Sequence, residues 1–315
     1  MTVLLTGASG FVGAALLQRL RGDGRNVVAL VRTLTSCLPG TMPIVCVGKI
    51  TDTTDFSAAL AGIATVVHLA ARVHIMHDTA ADPLTAFRAA NVDGTLNLAR
   101  QAAAAGVRRF VFISSVKVNG ETTQSGRAFT EVDVPDPQDA YGQSKHEAEQ
   151  GLRQLATDTG MEIVIIRAPL VYGPGVKANF AALMRAVQRG WPLPLGAVYN
   201  QRSLVALDNL VDFIVTCIAH PQAANQTFLV SDGHDLSTTE LVRGMAHAAG
   251  VTARLLPIPV WCLKAGAVFL GKSDAVQRLC GNLQVDISKA RSLLGWMPPL
   301  SVSEGLQRAV AKVGK

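Results

Sequence analysis

The apolar run Thr2–Thr6 leads directly into TGASGFVG at residues 6–13, and the amphipathic stretch Phe11–Arg21 follows without a gap. This passage from strand through glycine turn to helix restricts the possible folds more than any other feature of the chain. Gly7 suits a tight turn, Gly10 lets backbone approach a pyrophosphate, and Gly13 permits close packing of helix on strand. Free N–H groups and partial positive charge at the helix start would complete a phosphate cradle. A glycine-rich turn with no ligand is the plain alternative. The strand–turn–helix setting favours a dinucleotide site that includes Gly7, Ser9, Gly10, Phe11, Val12 and Gly13.

Further along, short Val/Ile/Leu runs alternate with helical patterns. The strands expected are Thr2–Thr6, Asn26–Val31, Ile44–Val47, Thr65–Leu69, Arg109–Ser114 and Glu162–Arg167, separated by helices over Phe11–Arg21, Asp55–Ala61, Leu84–Ala105 and Tyr141–Thr157. Continuous apolar strands joined by helices imply an α/β fold, a Rossmann-type doubly wound parallel sheet buried on both faces. Such a sheet binds ligands outside the carboxyl ends of its strands. After about Ala168, Pro, Gly and aromatic residues crowd Pro169–Gly175 and Trp191–Asn200, and shorter helices are expected at Ser237–Ala249 and Ser303–Val313. We expect residues 1–168, with a return segment over about 203–224, to form the dinucleotide-binding domain. Residues 169–202 and 225–315 would form a smaller C-terminal α/β lobe that holds the substrate.

Composition removes other classes. With 49% apolar and 17% charged residues, the 315-residue chain is neither disordered nor collagen-like. A mean hydropathy of +0.29 raises the question of a membrane span. The most apolar stretch, Leu255 to Leu270, is interrupted by Pro257, Pro259 and Lys264 and is shorter than the roughly 18–20 residues a span needs. No membrane insertion is expected. The net charge of +6 is scattered rather than striped, which argues against nucleic acid and for an anionic small molecule. Five cysteines without a CxxC pair read as free thiols in a reducing compartment, and the start MTVLLTGASG lacks a signal peptide, so the cytoplasm is the expected address. His74 and His77 in ARVHIMHD have no further ligands beside them, and no metal is expected.

Two positions bear on chemistry. An acid commonly ends the second strand of an NAD site, where it binds ribose hydroxyls. Here Val31 and Arg32 stand in that place. An Arg there grips a 2′-phosphate, so NADP(H) is favoured over NAD(H), unless Arg32 is only a solvated loop charge. In YGQSK, Tyr141 and Lys145 are four residues apart at the start of a predicted helix and share one face. A neighbouring ammonium would lower the phenol pKa toward the working range. Ser115, at the end of the fifth strand, offers a hydroxyl to the same crevice.

With these segments the chain resembles an extended short-chain dehydrogenase/reductase of the nucleotide-sugar epimerase/dehydratase type. The likeness runs nearly its whole length, through TGASGFVG, VVHLAA, NVDGT, FISSVKVNG, YGQSK, RAPLVYGPG, QRSLVALDNLVD and LGWMPP. The resemblance implies a catalytic trio of Ser115, Tyr141 and Lys145, with Lys145 also holding the nicotinamide ribose. It implies that His68, Leu69, Ala70 and Ala71 line the cofactor. Asn91 would support the active-site helix and a proton-relay water, and Asn179, Arg202 and Arg278 would hold a nucleotide diphosphate. Lys117, two residues past the serine, is a further candidate substrate contact. The chain departs from the family pattern at VGKITD, where Lys49 replaces an acid that meets the adenine and Asp52 is the nearby substitute. The Asp-Glu pair of the 4,6-dehydratases is also missing: Val116 and Lys117 follow Ser115, which removes the acid and base for elimination.

The activity so implied is hydride transfer at carbon 4 of a UDP-sugar. The favoured reading is NAD(P)H-dependent reduction of a UDP-4-keto-6-deoxy-N-acetylhexosamine for surface-polysaccharide synthesis. The alternative is a UDP-sugar 4-epimerase that retains its NAD, and a remote one is a non-catalytic dinucleotide sensor. A homodimer through the helices Leu84–Ala105 and Tyr141–Thr157 is also implied.

Overall fold

The computed structural model describes the chain except for residues 34–41, 74–81, 270, 272 and 312–315, so His74 and His77 lie outside the described residues. Its strands are β1 (Thr2–Thr6), β2 (Asn26–Val31), β3 (Ile44–Cys46), β4 (Thr65–His68), β5 (Arg109–Ser115), β6 (Glu162–Ala168), β7 (Leu170–Tyr172), β8 (Leu204–Ala206) and β9 (Thr227–Leu229). The helices are α1 (Phe11–Gly22), α2 (Ser57–Leu60), α3 (Pro83–Arg88), α4 (Gly94–Ala104), α5 (Ala140–Thr159), α6 (Ala178–Gln188), α7 (Leu207–Ala219), α8 (Thr238–Ala248), α9 (Val260–Phe269), α10 (Ser273–Cys280), α11 (Ser288–Leu294) and α12 (Val302–Val310).

Seven strands form one parallel sheet in the order β3-β2-β1-β4-β5-β6-β9. The reversal between β1 and β4 opens a crevice at their carboxyl ends, where such sheets bind ligands. The sheet is doubly wound because its strands are apolar on both faces. Leu16, Leu17 and Leu20 of α1 cover one face together with Leu210, Phe213 and Ile214 of α7. Leu98 and Ala102 of α4 cover the other with Ala148 and Leu152 of α5. A separate core of Tyr172, Phe180, Met184, Val242 and Leu306 holds the later segments together. There the Tyr172 hydroxyl donates to buried Asp232 at 2.7 Å, and the same carboxylate accepts from the Ala206 N–H and the Asn209 amide.

Two expectations are corrected. The return segment expected to end at 224 runs on to β9, which closes the main sheet against β6. The single helix expected over Leu84–Ala105 is broken by a π-turn at Ala89–Asp93, between α3 and α4. α4 then begins at Gly94, where a Cβ would meet the Ile50 side chain at 2.7 Å. The widened turn carries Asn91 into the interior.

A chain of three polar side chains ties β1, β4 and α4 together beneath the crevice. Thr6 Oγ1 accepts from the Leu69 and Ala70 N–H groups at 3.1 and 3.0 Å, so its own proton goes to His68 Nδ1 at 2.9 Å. His68 is therefore the Nε2–H tautomer and donates to Thr95 Oγ1 at 3.0 Å. His68 is only 1% exposed and holds the strands in register, so it does not line the cofactor as the resemblance implied. Burial, aided by the Lys145 charge, pushes its pKa down to about 3. Because the folded value lies below the unfolded one, this stabilisation is complete above pH 6.5 and fades as pH falls toward 3. We expect urea unfolding to show a loss of about 1.4 kcal/mol per pH unit below 6.5 from this group. His68→Gln should remove that component of the slope, and an unchanged slope would refute the assignment.

Candidate active site

The glycine turn forms a cradle. Gly7 has a φ of +70°, and a Cβ there would meet the Ala70 N at 2.9 Å. A Cβ on Gly13 would lie 2.1 Å from the Gly7 carbonyl oxygen, so only glycine lets α1 start this close to β1. Gly10 caps α1 without any side-chain hydrogen bond, and no acid occupies the first turn. Ser9 and Gly10 are exposed, Phe11 and Val12 half-buried. The free N–H groups of this long helix thus face the crevice, and nothing acidic in the first turn competes with a pyrophosphate for them. Leu69, Ala70 and Ala71 are half-buried just past the end of β4, with the Leu69 and Ala70 backbone against Gly7. These residues fit a dinucleotide.

The catalytic candidates lie at the carboxyl end of β5 and the first turns of α5. Asp139 caps α5 by accepting from the Gly142 N–H at 2.7 Å. A Cβ on Gly142 would meet the Lys117 carbonyl oxygen at 2.8 Å, so α5 sits directly on the segment after Ser115. Lys145 is 2% exposed, and its Nζ donates to the Ile113 carbonyl at 2.9 Å. The same Nζ lies 4.4 Å over the Phe112 ring and 6.0 Å from the centre of the Tyr141 ring. Phe87 meets the Tyr141 ring edge-on at 6.0 Å. Ser115 accepts from the Lys117 N–H at 3.2 Å as β5 ends. The first turns of α5, which carry Tyr141 and Lys145, thus pack against the segment that follows Ser115.

The electrostatics correct one expectation, that Lys145 lowers the Tyr141 pKa. Instead, burial and the nearby Asp139 charge push the phenol up to about 12, while burial pushes the lysine down to about 7. Desolvation is the largest cause for both groups, and at Lys145 it outweighs the opposing Glu149 charge. Lys145 therefore loses its proton near pH 7 while the phenol keeps its own. We expect the pH–rate profile of a reaction at this site to carry a limb at about 7 that belongs to Lys145. In Lys145→Met that limb is gone and only the phenol titrates, well above neutrality. A pH–rate profile with the same limb in both proteins would contradict this.

Asn91 uses its polar atoms structurally. Its Oδ1 accepts from the Arg72 N–H at 2.8 Å, and its Nδ2 donates to the Arg72 carbonyl and to Ser144 Oγ, both at 3.0 Å. Ser144 in turn donates to the Tyr141 carbonyl, so Asn91 positions the turn that bears the tyrosine. Lys117 is engaged as well: its Nζ pairs with Glu121 at 2.7 Å and with Asp139. Its charge serves the α5 cap.

Sequence reasoning passed over the group behind the site. Glu149 is fully buried and accepts from Ser114 Oγ at 2.6 Å, from Arg167 Nε and Nη2 at 3.0 and 2.7 Å, and from Arg153 at 3.0 Å. Arg167 also donates to Asn119 Oδ1 at 3.0 Å. A charged residue inside the apolar strand EIVIIRA was the available signal, since a buried guanidinium needs a carboxylate.

The expected diphosphate ligands are spread across the C-terminal segments. Arg202 is half-buried, donates to the Gly281 carbonyl at 3.1 Å and bridges the backbones of Leu236 and Leu283. Asn179 and Arg278 are exposed, on α6 and α10. Arg32 is exposed just past the end of β2, and Asp52 is exposed in the loop after β3. Among the described residues, no cluster of His, Cys, Asp and Glu could hold a metal ion, and no helix is long and apolar enough to cross a membrane.

Residues 3–231 match the model of the NAD dependent epimerase/dehydratase family. A Vibrio cholerae protein described as UDP-glucose 4-epimerase is 52% identical over 98% of this chain and 94% of its own length. An Escherichia coli O157:H7 protein described as N-acetyl-alpha-D-glucosaminyl-diphospho-ditrans,octacis-undecaprenol 4-epimerase is 30% identical over 98% and 94%. Among solved structures, the UDP-glucose 4-epimerase of Thermus thermophilus in complex with NAD superposes with a TM-score of 0.81 at 22% identity, covering 100% of this chain and 99% of that one. MoeE5 in complex with UDP-glucuronic acid and NAD gives 0.79 at 26% identity, with 100% and 99% covered.

Proposed function

This chain belongs to the NAD dependent epimerase/dehydratase family, and from that premise we propose that it is a UDP-sugar 4-epimerase that keeps its NAD through the catalytic cycle. The observation that carries this reading is the 52% identity, over nearly the full length of both chains, to a protein described as UDP-glucose 4-epimerase. The net reduction of a 4-keto sugar favoured from sequence gives way to it. That reading leaned on Arg32 as a 2′-phosphate ligand, and the family description and the MoeE5 complex both name NAD. The missing Asp-Glu pair beside Ser115 still argues against dehydration.

When bound across residues 7–13 and 69–71, the dinucleotide supplies a reversible hydride acceptor. Tyr141 takes the proton from the sugar O4 as carbon 4 becomes a ketone, and returns it when the alcohol re-forms. Ser115 donates a hydrogen bond to the same oxygen as charge develops there. Lys145 holds the nicotinamide ribose beside the tyrosine. Asn91 and Asp139 fix the helix that aims it. Arg202, Asn179 and Arg278 are the proposed holders of the diphosphate, which must keep the sugar bound through its turn between the two faces. A homodimer through α4 and α5 belongs to the same reading.

The test is direct. Purified protein incubated with UDP-glucose and no added cofactor should yield UDP-galactose, separable by anion-exchange chromatography. Conversion only when reduced cofactor is added and consumed in proportion to product would overturn the epimerase in favour of a reductase.

A further inference from the structure

Helix α9, Val260–Phe269, breaks the rule that an apolar helix is buried. Its sequence VWCLKAGAVF is apolar nearly all round, yet Ala267 is its only buried residue. Val260 and Leu263 rest partly on the C-terminal core, while Trp261, Val268 and Phe269 are 71%, 69% and 91% exposed. α10 packs beside α9 and adds exposed Leu279. In the segment just before α9, Arg254 and Leu256 are bonded through their backbones to Leu193, which sets exposed Leu256 beside the segment that carries exposed Trp191, and Leu193, Leu255, Val260 and Leu263 rest on the same core. Arg189 lies 5.6 Å over the Trp191 ring, and Arg254 and Lys264 are exposed around the apolar face.

Charge separates the possible partners. Residues 169–202 and 241–280 hold nine of the chain's 29 Lys and Arg but only one of its 23 Asp and Glu. The rest of the chain carries a slight negative excess. The positive charge is therefore concentrated in the segments that bear the apolar face. A second copy seated on that face would bring Arg189, Arg254 and Lys264 up against the same cations of its partner. An anionic surface would be attracted to it.

We propose that the α9–α10 face, with Trp191 and Leu256 at its rim, docks in the headgroup region of an anionic lipid bilayer. At this length α9 extends about 15 Å, too short to cross but suited to lying in the interface plane. Tryptophan rings and basic side chains beside an apolar face match that layer, where an aromatic body meets hydrocarbon and cations meet phosphate. The chain would be held on the membrane surface, and the expectation that no segment spans it is untouched.

Flotation of the full chain with vesicles tests this. The protein should rise with phosphatidylcholine vesicles containing phosphatidylglycerol, and binding should weaken in high salt and on phosphatidylcholine alone. The double variant W261S/F269S should lower the bound fraction at least about fivefold, because the apolar anchor is lost. Its melting temperature, and its turnover of soluble UDP-glucose if the wild-type chain turns that over, should be unchanged. The proposal is overturned if the wild-type chain stays at the bottom of the gradient, or if the variant floats as well as wild type. It is also overturned if the substitutions change the sedimentation coefficient, for then a second copy covers the face.

Discussion

Tyr141→Phe should lower turnover by about 10³-fold while dinucleotide content and melting temperature stay as in the wild type. Phenylalanine keeps the edge-on contact with the Phe87 ring, and the α5 cap at Asp139 does not involve the phenol, so the fold has no reason to change. What is lost is the hydroxyl that the proposed mechanism uses to exchange a proton with the sugar O4. Initial rates of epimer interconversion, with cofactor released by denaturation and measured by absorbance, separate the two effects. Turnover within about tenfold of wild type would remove Tyr141 from the proton path.

The second large effect concerns stability. Glu149→Ala leaves the Arg167 guanidinium, only 2% exposed, without its carboxylate, and strips Ser114 of its acceptor. Removing one partner of a buried ion pair costs about 3–5 kcal/mol, and urea unfolding should show a loss of that size. The double variant E149A/R167M should recover much of it, because the buried guanidinium and its carboxylate are then both gone. If the double variant loses as much as the two single variants together, the network is not a coupled pair. Since Ser114 precedes Ser115, and Glu149 lies on the helix that carries Tyr141 and Lys145, the same loss should disturb the geometry of the site.

Features that depend on neighbouring residues are legible in the sequence itself. The glycine turn, the apolar strands through β6, the helix that carries Tyr141 and Lys145, and the capped start of α8 all follow from local pattern. The helix expected from Ser237 is α8, and there Ser237 and Glu240 form a reciprocal capping box. Features that depend on distant partners are not legible in this way. β9 has three residues and becomes a strand only because β6 offers it an edge. The π-turn at Ala89–Asp93 lets Asn91 reach both Arg72 and Ser144, contacts that no local pattern announces. Lys117 looks free for substrate until Asp139, 22 residues away, is placed beside it. The direction of the Tyr141 pKa shift escapes for the same reason: i, i+4 spacing shows that a cation is near but not how dry both groups are. The choice between reduction and epimerisation is beyond local pattern too, since both use the same three side chains.

The path of the hydride tests the central claim most directly. UDP-glucose carrying deuterium at carbon 4, incubated with the protein as purified and no added cofactor, should give UDP-galactose with that deuterium still at carbon 4. NMR should show none of it passed to solvent, and reduced cofactor should neither accumulate nor be consumed. Loss of the label, or product formed only as added NADPH or NADH is consumed, would contradict an epimerase that retains its NAD.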